Sequence, residues 1–198
     1  MDAGAPRKLT NRGKERRRQL IDHAARLFAA NGYHPTSVAD IVGSLGVGKG
    51  VFYWYFDSKE QLFLEILRES QTDLRRAQRD AIAGEDDPVR RLELGVQAAF
   101  RWWAEHPEIT NLVQFAATEA GFAKALRRGQ EVALGDAASH IKDAIAAGEV
   151  RDEDADVLAH AVLAVTTHFA RELVQGRGDD PDATAALAIA IVLDGLRG

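Results

Sequence analysis

Apolar side chains recur every three or four residues along almost the whole chain, the spacing of helices that each bury one stripe. Leu20, Ile21, Ala24, Ala25, Leu27 and Phe28 make the first stripe and predict a helix over about residues 12–31. Asn31-Gly32 ends it, because both residue types tolerate a left-handed backbone, and Pro35 prevents continuation. A second helix opens at Thr36 or Ser37, either of which can accept the free amide protons of a first turn. Val38, Ile41, Val42 and Leu45 are its inward positions. Gly46 is predicted as a tight turn with positive φ, with Val47 as an apolar peg behind it, and a third short helix spans about 48–55. Two short helices around a glycine turn are the pattern of a helix-turn-helix, whose second helix enters a DNA major groove.

The pattern continues without a convincing strand or an internal repeat. Asp57 and Ser58 cap a fourth helix, with Gln61 placed to close a Ser-x-x-Gln box. It runs through Leu62, Phe63, Ile66, Leu67, Leu74 and Ala81, and Gly84 ends it. Asp87 caps the next, with Pro88 as its first helical residue. Five further helices are predicted over about 88–105, from Pro107, and over about 121–147, 153–175 and 182–196. Their inward positions include Trp103, Val132, Val157, Leu187 and Ile191. The fold class is all-α, about nine helices. The last two helices are more apolar than a surface pair requires, and Ala185, Ala186, Ala188 and Ala190 allow close helix approach; burial within one chain and pairing with a second copy both fit.

Charge sharpens the picture. The formal net charge is -5, which alone argues against nucleic acid. Residues 1–60, however, hold 10 Lys/Arg against 6 Asp/Glu, and the remainder hold 15 against 24. A basic head on an acidic body suggests that the head alone meets an anionic partner. Residues 1–13 read as a flexible basic arm. The run Arg7, Lys8, Arg12, Lys14, Arg16, Arg17 and Arg18 either reaches along phosphates or a minor groove, or is a solvated helix start.

The third helix divides by face. Phe52 and Phe56, four apart, pack inward, which leaves Lys49, Gly50, Tyr53 and Trp54 largely on the other side. Such a surface suits DNA, where tyrosine hydroxyls bond phosphates and apolar edges meet thymine methyls. Lys59 in the first turn of the fourth helix opposes the helix dipole, at a cost of roughly 0.3–1 kcal/mol that a bound phosphate would offset.

Catalytic chemistry has no comparable signal. There is no cysteine. The six histidines are not spaced as metal ligands, and no HExxH, Gly-x-Ser-x-Gly or P-loop is present. No cofactor, metal or enzymatic activity is expected. No apolar run reaches the roughly 18–20 residues of a membrane span, and the polar, basic N-terminus is unlike a secretory signal, so a soluble cytoplasmic protein is expected. In the body, Trp102, Trp103, Phe115, Phe122 and Phe169 are candidates to line an apolar effector cavity, with Gln114, Thr118 and His168 as polar contacts.

Residues of about 14–73, with the motif at about 37–56, resemble the DNA-binding domain of the TetR/AcrR family of transcriptional regulators. The matching pieces are Ala25-Arg26-Leu27-Phe28, Asn31-Gly32-Tyr33, Thr36-Ser37-Val38-Ala39-Asp40-Ile41, Gly46-Val47 and Gly50-Val51-Phe52-Tyr53-Trp54-Tyr55-Phe56, followed by Ser58-Lys59-Glu60. Gly48 departs from the pattern, where the family commonly has a capping serine; glycine in that place costs only a few tenths of a kcal/mol. The resemblance implies that Thr36 and Ser37 bind phosphate, that Lys49, Gly50, Val51 and Tyr53 face the groove, that Tyr53 and Trp54 touch backbone, and that Lys59 clamps a phosphate. It implies a C-terminal domain over 74–198 that binds an effector and pairs with a second copy. Val157, Ala161, Ala186, Ala190 and Leu193 are the expected interface positions. The expected function is a homodimeric repressor released from a palindromic operator by a small apolar molecule. An activator or ligand-independent regulator of the same fold is the alternative, and a helical enzyme with a regulator-like head the remote one.

Overall fold

The computed structural model describes residues 10–197, which divide into two compact units, one ending at Leu67 and one starting at Arg68. Among the described residues the regular elements are nine α-helices and one π-helical segment. The sequence places the division slightly later, after residue 73. Of the predicted arm, residues 1–9 lie outside the described residues. Asn11, Arg12 and Gly13 are already helical, because the Thr10 hydroxyl accepts the Gly13 amide proton at 3.2 Å and starts the helix there.

The first unit is built from α1 (Asn11–Asn31), α2 (Val38–Ser44), α3 (Lys49–Tyr55) and the opening turns of α4 (Lys59–Ile82). Its core collects the apolar stripes of all four: Leu20, Ala24 and Phe28, then Ile41, then Phe52 and Phe56, then Leu62 and Phe63. Phe63 meets Phe28 edge-on with ring centroids 5.7 Å apart, and Tyr33 at 5.0 Å. Gly46 has φ +64°, a conformation that strains any side-chain-bearing residue. The turn between α2 and α3 thus depends on that glycine.

The second unit holds the rest of α4 with α5 (Pro88–Glu105), α6 (Pro107–Thr118), α7 (Ala120–Ala146), α8 (Ala155–Phe169) and α9 (Pro181–Arg197). One core cluster joins Leu92 of α5, Ile141 and Ala144 of α7, Ala159 and Val162 of α8, and Leu193 and Leu196 of α9. A second gathers Phe100, Ala170, Val174, Ala185 and Ala188. Arg75 of α4 makes a two-pronged ion pair with Asp136 of α7, at 2.7 and 3.1 Å.

Several inward assignments reverse. Val157 is 63% exposed, Leu187 51% and Ile191 48%, and Val132 is exposed as well. Leu193, expected at an interface, is instead buried in the core cluster between α5, α8 and α9. On helices apolar on more than one side, spacing cannot tell which side faces in. The expectation of no membrane-length apolar run also changes. Helix α8 continues without a break into the π-helical segment Ala170–Gly176, and the combined Ala155–Gly176 is long and apolar enough to cross a membrane by length and composition. The sequence predicts this stretch as one helix over about 153–175, and the π segment carries it past the polar pair Arg171-Glu172.

Candidate nucleic-acid interface

Helix α3 projects the surface that its sequence predicts. Phe52 and Phe56 are buried, Tyr53 and Trp54 are 55% and 52% exposed, and Lys49 and Gly50 are exposed beside them. Val51 is half-buried. The division follows from the helical repeat: positions 52 and 56 point into the core, so 50 and 54 point almost directly away from it. Gly48 precedes the helix in extended conformation and supplies no side-chain cap. A Cβ on Gly50 would meet nothing within 4 Å. Internal packing does not require glycine there.

Helix α2 starts at Ser37, which settles the choice between Thr36 and Ser37. The Ser37 hydroxyl accepts the Asp40 amide proton at 3.2 Å and donates to Asp40 Oδ2 at 2.6 Å, while that oxygen accepts the Ser37 amide proton at 2.8 Å. These bonds, side chain first and backbone second, hold the Asp40 carboxyl below its usual pKa. Thr36 is buried, and its hydroxyl donates to the Gly32 carbonyl at 2.8 Å. Both hydroxyls expected to bind phosphate are therefore engaged within the head, and a carboxylate stands beside Ser37. A phosphate role for the Thr36 and Ser37 side chains has to compete with these internal bonds.

Lys59 likewise has partners inside the head. Its Nζ donates to the carbonyls of Tyr33 and Thr36 at 2.9 Å each and of His34 at 3.3 Å. The ammonium also lies 4.3 Å from the Tyr33 ring centroid. Partial burial lowers its pKa. Those carbonyls belong to the loop between α1 and α2. The cation whose place in the first turn of α4 looked unfavourable is offset from inside the protein, and it ties that loop to α4. Next to it, Ser58 accepts the Gln61 amide proton at 3.0 Å, while the Gln61 side chain reaches back to the Asp57 amide, one residue beyond the expected box.

The other head cations sort into two kinds. Arg17 pairs with Glu65 at 2.6 Å and lies over the Phe56 ring, and Arg18 faces Asp22 at 3.7 Å. Arg12 and Arg16 border a groove of about 490 Å³ between the start of α1 and the flank of α3, with Trp54 and Tyr55 opposite. The sequence offered only the four-residue spacing of the two arginines as a hint; the groove itself joins residues about forty positions apart.

The body positions expected to form an effector cavity are not brought together. Gln114, Thr118 and His168 are exposed; the Thr118 hydroxyl donates to the Phe115 carbonyl, and His168 Nδ1 lies 3.2 Å from an Arg171 nitrogen. Trp102 stacks on His106 at 4.3 Å, Trp103 and Phe169 pack on the second core cluster, and Phe115 pairs with Phe122 at 6.1 Å. The aromatic residues are hydrophobic packing, and the polar ones face solvent.

Two short helices around a positive-φ glycine, the second displaying lysine, tyrosine and tryptophan to solvent, define a helix-turn-helix DNA-binding regulator of transcription. A family model described as "Bacterial regulatory proteins, tetR family" matches residues 20–66. The uncharacterized HTH-type transcriptional regulator YdgC of Bacillus subtilis is 24% identical over 95% of this chain and 96% of its own length. The transcriptional repressor KstR2 of Rhodococcus jostii is 40% identical, but over only 43% of this chain and 42% of KstR2. The fatty acid degradation regulator FadR of Bacillus halodurans shares the fold with a TM-score of 0.83 at 20% identity, covering 96% of this chain and 99% of FadR. Residues 20–66 of the head are thus similar to the tetR family of bacterial regulatory proteins.

Proposed function

We propose that the protein is a cytoplasmic, homodimeric repressor that places one α3 in each half of a palindromic operator and is released by a small apolar effector. Lys49, Gly50, Val51 and Tyr53 then face the major groove, and Trp54 lies against the backbone. The observation that carries the dimer is the uncovered apolar face of the last two helices. On α8, Val157, Ala161 and Ala164 are exposed at four- and three-residue steps; on α9, Ala186, Leu187, Ala190 and Ile191 are exposed on one side. Such a face on a regulator's helices marks an interaction surface, and alanines let two copies approach closely. The same face accounts for the apolar length of Ala155–Gly176 without a membrane.

A repressor is supported by the function named for KstR2, and a fatty acyl compound is the first effector to try, given the function named for FadR. An effector releases the operator only if it binds the released form more tightly than the bound form.

The pairing surface is open to direct test. In sedimentation, the wild type is expected as a dimer at micromolar concentration and Leu187→Glu/Ile191→Glu as a folded monomer, because each added carboxylate would be desolvated against its own copy. Affinity for a palindromic duplex should fall at least a hundredfold, since one head reads half a site. A monomeric wild type, or a variant that stays dimeric, contradicts the assignment.

A further inference from the structure

The groove beside α3 carries a role that the base-reading face does not explain. Arg12 and Arg16 stand four residues apart on α1 and form one wall with Gly13; Gly50, Trp54 and Tyr55 form the other. Neither arginine has an acidic partner among the described residues, in contrast to Arg17 and Arg18. Two guanidiniums held apart from carboxylates have strong affinity for phosphate oxygens. The facing wall is aromatic, with the Trp54 ring edge-on to Tyr55 at 4.5 Å. Gly13 and Gly50 line the groove, and at Gly50 nothing inside the protein demands glycine.

We propose that this groove holds the sugar–phosphate backbone of one operator strand, with Arg12 and Arg16 pairing with phosphates and Trp54 and Tyr55 lying against deoxyribose. The proposal rests on the DNA-binding reading above and adds to it a second, sequence-independent grip. The occupant follows from continuity. A helix about 10–12 Å across fills a major groove about 12 Å wide, so a phosphate wall borders it on each side. The Gly50, Trp54 and Tyr55 side of α3 leads straight into the groove at the start of α1, so the strand bordering that side runs between them. Gly50 is then small so that the strand can come close to the helix.

The test is the salt dependence of duplex binding by the full-length protein, with Arg12→Ala/Arg16→Ala compared to the wild type and to Arg18→Ala, whose cation faces Asp22 outside the groove. Each phosphate contact contributes about 0.9 to the slope of log affinity against log salt, so the double variant, which removes two contacts from each of the two heads, should lose roughly 3.6 of it. At about 0.1 M salt that corresponds to a loss on the order of a thousandfold, which shrinks as salt rises. Preference for operator over unrelated duplex should be unchanged, because phosphates carry no sequence information. A methylphosphonate at the bordering phosphate should weaken the wild type and leave the double variant indifferent. A double variant with the wild-type slope overturns the proposal, and so does a loss confined to sequence preference. A wild type that binds no duplex sinks the DNA-binding reading and this proposal together, whereas a failure here alone leaves that reading standing.

Discussion

Phe28→Ala is expected to unfold the head at temperatures where the body stays folded. Phe28 is buried between α1 and α4, with ring centroids 5.3 Å from Tyr33 and 5.7 Å from Phe63. Truncating a buried phenylalanine costs about 3–5 kcal/mol, from lost transfer energy and from the cavity left behind. Whole domains are stable by only about 5–15 kcal/mol, and a unit of this size lies toward the lower end. Amide exchange in the Leu20–Phe28 stretch of α1 should accelerate by two to three powers of ten, and operator binding should be lost with it. Tyr53→Ala serves as the contrast: its exposed ring contributes little to the core, so exchange protection should persist while DNA affinity falls. Unchanged protection in Phe28→Ala would mean that α1 is not held through this aromatic cluster.

Lys59→Met should weaken DNA binding without changing its salt dependence. Methionine keeps most of the aliphatic stem and removes the ammonium, which leaves the carbonyls of Tyr33, His34 and Thr36 without their shared donor. A hydrogen bond to a charged group contributes about 1.5–3 kcal/mol, and here solvent reaches part of the site and replaces some of that. A loss of about 1–2 kcal/mol in head stability follows, felt at the loop that sets the position of α2. Affinity drops because α2 and α3 are less well held, but no phosphate contact disappears. A slope reduced by about 1.8, one contact from each head, with stability intact would instead show that Lys59 leaves its carbonyls to bind phosphate.

Local rules were enough wherever one residue type had one role. Gly46 could be read as the turn because almost nothing else adopts its backbone, and Phe52 and Phe56 as inward because they lie four apart on one side of α3. The internal partners of Lys59 are not legible in the sequence, because they lie more than twenty residues earlier and are carbonyls, which every sequence position possesses. The hydroxyls of Thr36 and Ser37 were assigned outward, although Gly32 and Asp40 already satisfy them. In the body, Leu187, Ile191 and Leu193 look equivalent in the sequence, yet two lie in solvent and one in the core. Alanine-rich helices offer apolar surface on several sides, so the spacing leaves their rotation undetermined. The expected effector residues are ambiguous for a related reason: an aromatic side chain fills a core as readily as it lines a cavity, and Trp102 stacks on His106.

The central claim is that α3 reads the major groove of duplex DNA, in two copies acting together. Protection of guanine N7 from methylation, on a fragment selected from genomic DNA by the wild-type protein, tests it most directly because N7 lies in that groove. Two protected patches on one face of the duplex, centred about one helical turn or a multiple of it apart, are the expected result. Methylation unaltered at every guanine, with the protein saturating and the salt low, would contradict the account.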